Sequence, residues 1–336
     1  MTATPPRDAP PAGPDVAVII VNYGTADLAL AAVDSVLARE HGGLKVEVHL
    51  VDNASPGGDT ARIARALQEP ARAARVTFYP ETVNHGFGRG NNLVLQALAA
   101  RPHPPRYVFL LNPDARLKTD TIAELAAFLD RHPRAAAVGA GIDLPDGTAR
   151  TAAFRFPGAI SEFASRLGFG PVSRLLGRWS VPLPPGEESR AVDWVAGAAV
   201  MFRHDALSAE GGFDPAFFLY FEEVELMHRL RRRGWQIWYH PAARVEHIEG
   251  AATGVDSKAR RKAPLPGYWF DSWRFYFLKT RGRALAVLTA LAALTGTGLH
   301  AVLSRLRGRE PGYPPGFPRD FLRGCLIPLI RSREAS

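Results

Sequence analysis

The chain has 336 residues, of which 46% are hydrophobic and 22% charged, and a formal net charge of +8. That balance belongs to a globular chain with a real core, either one large α/β domain or a domain with an appendage. The only cysteine, Cys325, excludes an intramolecular disulfide and a cysteine-based metal site, and suits a reducing compartment.

Residues 1–15 are rich in Pro and Ala, with no apolar core preceded by positive charge. They read as a disordered leader, not as a secretory signal. Residues 16–22 (VAVIIVN) form a continuous apolar run of strand length, the mark of a strand buried on both faces of a parallel sheet. A helix is predicted over 27–39, a strand over 46–51, a helix over 60–67, a strand over 76–79 and a helix over 91–100. Strand 107–111, helix 120–130 and strand 135–140 continue the alternation, which implies βαβ units and a mostly parallel sheet. Residues 146–190 carry a weak signal and read as an irregular insertion over the site. A strand is predicted over 192–202, a helix over 219–233 closed by Gly234, and a short strand over 236–240.

The tail differs in character. Residues 266–283 are aromatic, basic and plausible as a helix, and they lead into 284–303, twenty residues without a formal charge. That length suffices to span a bilayer. Six Ala, three Thr, two Gly and His300 make it only marginally apolar, so an interfacial helix, a spanning helix and a buried helix all stay open. From 255 to 309, eleven Lys and Arg stand against two acids, while the rest of the chain holds 30 basic and 31 acidic residues. Positive charge beside an apolar run points to an anionic membrane surface and away from nucleic acid.

In sheets of this kind ligands sit outside the carboxyl ends of the strands. Three polar groups fall there: Asn22–Tyr23, Asp52–Asn53 and Asn112–Asp114. Asp114, in LLNPD, offers a carboxylate to a hard divalent cation that takes its other ligands from phosphate oxygens. The same Asn-Pro-Asp also reads as turn chemistry. Asp52 can accept hydrogen bonds from a pyrimidine ring or a ribose, or can cap a helix or turn. Gly86-Phe87-Gly88-Arg89-Gly90-Asn91 opens a helix whose N-terminus favours anions. It follows the third strand and not the first, which argues against a nicotinamide cofactor.

Glu222, Glu223 and Glu225 open another helix, where the dipole is expected to keep them ionised near neutral pH. Glu223 shares a face with Met227 and Leu230, so it is expected to lean inward. An ionised carboxylate facing a cleft can deprotonate an acceptor hydroxyl, although acids at a helix N-terminus also serve stability alone. His247, in VEHIEG, can ligate Mn²⁺ or a similar ion, or be a structural histidine.

In succession, VIIVNYGTADLALAAVDSVL, VDNAS, NHGFGRGNN, FLLNPDARL, DWVAGAAVMFRHDAL, GGFDPAFFLYFEEVELMHRLRRRGW and VEHIEG resemble the family 2 glycosyltransferases of the GT-A fold. The bacterial rhamnosyltransferase-like branch is the nearest in pattern, and the resemblance covers residues 16–283. It implies an α/β GT-A fold, with a Rossmann-like, mostly parallel sheet flanked by helices and a C-terminal helical, partly apolar extension. It implies that Asn22, Tyr23, Asp52, Asn84, Gly86, Phe87, Asn91, Asn112, Asp114 and Trp194 line the nucleotide-sugar site, with Asp52 facing the base. Asp114 and His247 would hold a divalent cation, Mg²⁺ or Mn²⁺, that grips the diphosphate. Glu223 falls where the family places its catalytic base, with Glu222 as its substitute. Two positions depart from the family pattern: the first acid of the metal motif is Asn112, and Glu-Asp-x-Asp reads Glu222-Glu223-Val224-Glu225.

The implied reaction is a single in-line displacement with inversion at the anomeric carbon. The donor would be a dTDP- or UDP-sugar, dTDP-L-rhamnose first, and the acceptor a hydroxyl of a lipid-linked or surface glycan. Expected domains are a leader (1–15), a transferase domain (16–255, with a nucleotide-binding half 16–145, insertion 146–190 and acceptor half 191–255) and a membrane-associating extension (256–336). The expected location is the cytoplasmic face of the inner membrane, peripheral or C-terminally anchored. A nucleotidyltransferase would want a basic phosphate loop after the first strand, whereas Asn22-Tyr23-Gly24-Thr25 holds no base. Against a non-catalytic sugar-nucleotide-binding protein stands the joint retention of Asp114, Glu223 and His247.

Overall fold

The computed structural model describes residues 13–248 and 263–331. Most of the expected leader, the expected boundary at 255/256 and the basic cluster at 258–262 lie outside the described residues. The first apolar run forms β1 (Val16–Asn22), buried along its whole length. Next to it, β2 (Val46–Asn53) and then β3 (Val76–Glu81) lie on one side and β4 (Tyr107–Leu111) on the other, all parallel. Crossovers run through α1 (Ala26–Leu37), α2 (Asp59–Ala66), α3 (Pro70–Ala73) and α4 (Gly86–Ala99). Ala29, Val33 and Val36 of α1 and Val94 and Leu98 of α4 are fully withdrawn against the sheet. Each such larger apolar side chain contributes about 1.5–3 kcal/mol.

Past β4 the order departs from simple alternation. The short β5 (Ala115–Leu117) leads through α5 (Thr121–Arg131) into β6 (Ala135–Asp143), on which β7 (Ala149–Arg150) pairs. Then follow β8 (Ala153–Phe154), β9 (Arg190–Val192), β10 (Trp194–Val195), β11 (Ala199–Arg203) and β12 (Gln236–His247). The main sheet reads β3-β2-β1-β4-β11-β6-β12-β5. Within it β11 is antiparallel to both neighbours, so its start lies at the carboxyl end of β4, with Ala199 opposite Leu111. One reversed strand thus brings 196–198 to the carboxyl edge of β4.

Two strand expectations need correction. The stretch 192–202 is not one strand: Trp194–Val195 leaves the main sheet to pair with β8, and the chain re-enters it only at Ala199. The strand predicted over 236–240 runs on to His247, because after a register shift between His240 and Arg244 it continues along β6 and pairs with β5. Residues 146–190 are also more regular than expected, holding α6 (Ala159–Leu167) and α7 (Gly170–Leu175). Helix α6 packs on a helix far along the chain, a partner its local pattern does not reveal.

After β11 come α8 (His204–Ala209) and α9 (Glu222–Arg232), then α10 (Gly267–Leu306), α11 (Phe317–Phe321) and α12 (Ile327–Arg331). Helix α10 is two segments broken at Gly282, whose φ of +75° most side chains avoid. Its first half buries Trp273, Tyr276 and Phe277 with Phe317 and Phe321, and with Phe217 and Val224 from the region of α9, as a second core. Its second half turns small residues inward: Ala286, Ala290, Ala293, Gly296 and Ala301 are buried. A Cβ at Gly296 would stand 2.5 Å from the Phe163 carbonyl oxygen, so α10 and α6 meet at backbone distance. The large side chains face out, with Leu285, Leu288, Leu291, Leu299, Val302 and Leu306 at 45–79% exposure. Among the described residues α10 is the helix long and apolar enough to cross a membrane, by length and composition only.

Candidate active site

The parallel register sets Asn22 opposite Asp52 at the carboxyl ends of β1 and β2. Both are fully buried. Asn22 Nδ2 donates to Asp52 Oδ1 (2.9 Å) and to Ser55 Oγ (3.1 Å), while Asn22 Oδ1 accepts from Thr25 Oγ1 (2.9 Å). The Ser55 and Thr60 hydroxyls donate to the two Asp52 oxygens. Asp52 thereby holds the loop after β2 onto the tip of β1, with both oxygens engaged by protein donors. Tyr23 follows on the exposed rim.

Asn53, noted in the sequence only as the neighbour of Asp52 at the strand end, organises the next loop. Its Nδ2 donates to Asn84 Oδ1 (3.1 Å) and the Gly86 carbonyl (3.1 Å), and its Oδ1 accepts from the His85 N–H (2.9 Å). Gly86 sits at φ +74°, and a Cβ there would fall 1.8 Å from the Phe218 carbonyl oxygen. No side chain fits, and the Phe87 N–H donates to that same carbonyl (3.1 Å). Asn91 donates to the Phe87 carbonyl (2.9 Å), and its Oδ1 is buried without a partner. Asn92, given no role on sequence alone, clamps Phe213 through both its amide atoms, with Nδ2 donating at 2.7 Å and Oδ1 accepting at 2.9 Å. The start of α4 is thus pinned to the loop that precedes α9. Adjacent asparagines in GRGNN were the available signal, but one sequence does not say which faces the ligand side.

Asp114 and His247 meet: Nε2 lies 2.9 Å from Asp114 Oδ1 and 3.4 Å from Asn112 Nδ2. The β5–β12 pairing sets His247 opposite Ala115, one residue beyond Asp114, and the Ile248 N–H donates to the Asp114 carbonyl (3.0 Å). Asp114 is 5% exposed. Among the described residues no group of three or more His, Cys, Asp or Glu side chains converges as a metal cage. A carboxylate and an imidazole still suit a divalent ion whose remaining ligands are phosphate oxygens and water, so the donor set fits.

The three acids of α9 take three different environments. Glu225 is fully buried and paired with Arg229 (2.9 Å) and Lys279 (2.8 Å). Glu222 is 3% exposed, with Oε2 unpartnered. Glu223 is half-buried, and its Oε2 is also enclosed without a partner. Burial pushes the Glu222 carboxyl well above its usual range, the Glu223 charge adding to the effect, and burial raises Glu223 too. The helix dipole alone would keep both ionised, but desolvation outweighs the backbone N–H groups of the first turn and shifts both carboxyls toward the protonated form. Glu223 leans inward as its face implied. A Cβ at Gly197 would lie 3.6 Å from the Phe87 ring and 3.8 Å from Glu223 Cβ. Ala198 next to it accepts from the Asn112 N–H (2.9 Å). The 197–198 backbone thus links the Asn112–Asp114–His247 corner to Glu223 and Phe87.

Tyr220 and Phe221 enter α9 at φ +71° and +67°. Such conformations cost bulky residues of order 1–3 kcal/mol each and cluster at functional sites. Trp194 stacks on Phe154 (4.0 Å), donates through Nε1 to the Arg155 carbonyl (2.9 Å), and lines a cavity with Phe221 and Val224. None of Asn22, Asp52, Asn91 and Asp114 lines that cavity.

The model described as glycosyltransferase-like family 2 matches residues 13–263. An N-acetylglucosaminyl-diphospho-decaprenol L-rhamnosyltransferase of Mycobacterium tuberculosis is 32% identical over 228 residues, covering 63% of this chain and 69% of the relative. Rhamnosyltransferase WbbL of Escherichia coli (strain K12) is 27% identical over 172 residues, 48% of this chain and 61% of that one. Among solved structures, GalNAc-T7 with UDP, GalNAc and Mn²⁺ superposes with a TM-score of 0.56 at 14% identity, covering 95% of this chain and 56% of that chain. Residues 1–349 of S. aureus TarS, in complex with UDP-GlcNAc, give 0.54 at 13% identity over 94% of this chain and 81% of that one. These structural likenesses bear on the fold, which is GT-A-like. With the family model spanning the sheet and every polar group at its carboxyl edge, the chain belongs to glycosyltransferase family 2 and is a nucleotide-sugar-dependent glycosyltransferase.

Proposed function

We propose that the chain is an inverting, metal-dependent transferase that moves a sugar, L-rhamnose from dTDP-L-rhamnose in the first instance, onto a hydroxyl of a lipid-linked glycan. What carries the reading is the contact of Asp114 with His247 across 133 residues at the sheet's carboxyl edge, with Glu223 reached through Gly197 and Ala198. The rhamnosyltransferase relatives support the donor, and the diphospho-decaprenol in the name of one supports a lipid-linked acceptor.

Asn22, Asp52, Asn84, Gly86 and Asn91 shape the donor side. Asp114 and His247 would hold a divalent cation, Mn²⁺ or Mg²⁺, which supplies charge neutralisation for a departing nucleoside diphosphate. Glu223 accepts the acceptor's hydroxyl proton at its enclosed carboxylate, and the upward shift that burial gives it makes it a stronger base than an exposed glutamate. Glu222 is more deeply enclosed, and burial together with the Glu223 charge pushes its carboxyl well above the usual range, which favours its protonated form beside Glu223. The outward leucines of α10, with Arg283 at one end and Arg305, Arg307 and Arg309 at the other, would rest on the anionic cytoplasmic face of a membrane.

The test is transfer from dTDP-L-rhamnose and UDP-sugars to a lipid-linked N-acetylglucosamine acceptor, with and without Mn²⁺. Product from one donor, formed only with metal and of inverted anomeric configuration by NMR, is the expected result. Retained configuration, or equal turnover in chelator, would overturn the mechanism.

A further inference from the structure

A second cavity, of about 470 Å³, lies beyond Trp194 between α6, the 178–179 turn and the second half of α10. Three guanidinium groups, Arg155, Arg178 and Arg281, share its wall with the apolar side chains of Ile160, Leu285 and Leu288. Arg155 Nη1 donates to the Ser180 carbonyl (3.1 Å), Arg281 Nη2 reaches the Pro157 carbonyl (3.4 Å), and Arg178 stacks over the Trp179 ring at 3.6 Å. Among the described residues none of the three pairs with a carboxylate. The one acid in the wall, Asp193, is turned to other partners: it accepts the Phe156 N–H (2.9 Å) and faces Arg231 (3.7 Å). Three like charges beside a single acid that is already engaged repel one another, and arginine forks match phosphate oxygens in geometry.

The other wall says what the anion is attached to. Leu285 and Leu288 begin the outward leucine track that continues through Leu291, Leu299, Val302 and Leu306. The cavity wall also holds Asp193, whose neighbour Trp194 is hydrogen-bonded to the backbone of Arg155 and leads along the chain to Gly197 beside Glu223. The cavity thus shares Leu285 and Leu288 with the apolar track, and the stretch Asp193–Gly197 joins its wall to the neighbourhood of Glu223. A molecule with a sugar at one end, a diphosphate in the middle and a long hydrocarbon chain at the other fits that arrangement.

We propose that this cavity binds the diphosphate of a prenyl-diphosphate-linked acceptor, with Arg155, Arg178 and Arg281 contacting its oxygens and Leu285 and Leu288 the first of its isoprene units. The proposal deepens the transferase reading and rests on it for the sugar end. Its test uses the full chain and farnesyl diphosphate, measured by isothermal titration calorimetry against farnesyl monophosphate, farnesol and inorganic diphosphate. Wild type should bind farnesyl diphosphate most tightly. R155A/R281A should bind it about tenfold or more weakly, as expected for lost charge-assisted hydrogen bonds, with dTDP binding unchanged. R178A, at an exposed arginine, is the second variant should the double substitution fail to melt cooperatively, and it should weaken binding by about threefold or more. Equal affinity in the variants, or farnesol binding as tightly as the diphosphate, overturns the assignment. So does a loss confined to phosphatidylglycerol vesicles, which would make the arginines a headgroup contact. If farnesyl diphosphate binds through these arginines but no nucleotide sugar binds, the transferase reading fails and the cavity assignment stands; the converse pattern fails the cavity alone.

Discussion

Glu222 and Glu223 are adjacent in sequence, yet the fold gives them different access to the cleft. Both have unpartnered carboxylate oxygens, but Glu222 is 3% exposed and lies against Gly88, while Glu223 faces Gly197 and Phe87. Substituting Glu223→Gln should lower kcat about 10²–10⁴-fold with donor affinity unchanged, the range lost with a general base. Wild-type turnover in that protein would remove Glu223 from the role. Glu222 makes a pH prediction. Its folded pKa is raised by burial and by Glu223, so the stability it confers is full below the unfolded carboxylate value, about 4.3, and is lost as pH rises through the folded value. Glu222→Gln should therefore melt higher than wild type at about pH 8, and the difference should vanish toward about pH 4. A difference independent of pH would mean that the carboxyl is not held protonated.

At the scale of elements, the loop into α9 is held by α10 as much as by its own sequence. Ser272 Oγ donates to the Leu219 carbonyl (2.9 Å), Lys279 pairs with Glu225 (2.8 Å) and Asp214, and Phe221 packs on Tyr276 at 5.3 Å. These contacts hold Tyr220 and Phe221 in a conformation that neither would choose alone. Ser272→Ala removes this part-buried hydrogen bond and should cost about 0.5–1.5 kcal/mol in urea denaturation. It should also lower kcat while donor KM stays put, because the start of α9 carries Glu223. Unchanged kcat at reduced stability would show that α10 braces the fold and not the site. The resemblance motifs located the acids of α9. They gave no sign that the tail supports them, since that contact joins segments some fifty residues apart whose local patterns are each complete.

For the whole molecule, the question is which way the apolar tail faces. A core helix buries its leucines; α10 buries alanines and glycine against α6 and leaves its leucines about half exposed. Fully withdrawing a leucine contributes about 1.5–3 kcal/mol, so completing the burial of several is a real driving force toward a membrane surface. Leu291→Glu with Leu299→Glu should weaken co-sedimentation with phosphatidylglycerol vesicles about tenfold or more while the melting temperature holds. Undiminished sedimentation would place the membrane contact elsewhere or remove it.

Much was decided by local sequence. Uninterrupted apolar runs sufficed for β1 and β4, because a strand buried on both faces needs no partner's identity to be recognised. Polar residues closing those runs marked the carboxyl edge of the sheet, since parallel register alone lines up strand ends such as Asn22 and Asp52. Only the tertiary structure decided the rest. It reversed β11 to bring Gly197 and Ala198 to that edge, and it extended β12 until His247 met Asp114. It also set the Glu222 and Glu223 carboxyls in a desolvated pocket, against the dipole argument. Long-range pairing and burial are properties of what surrounds a residue, and a window of sequence contains none of that surrounding.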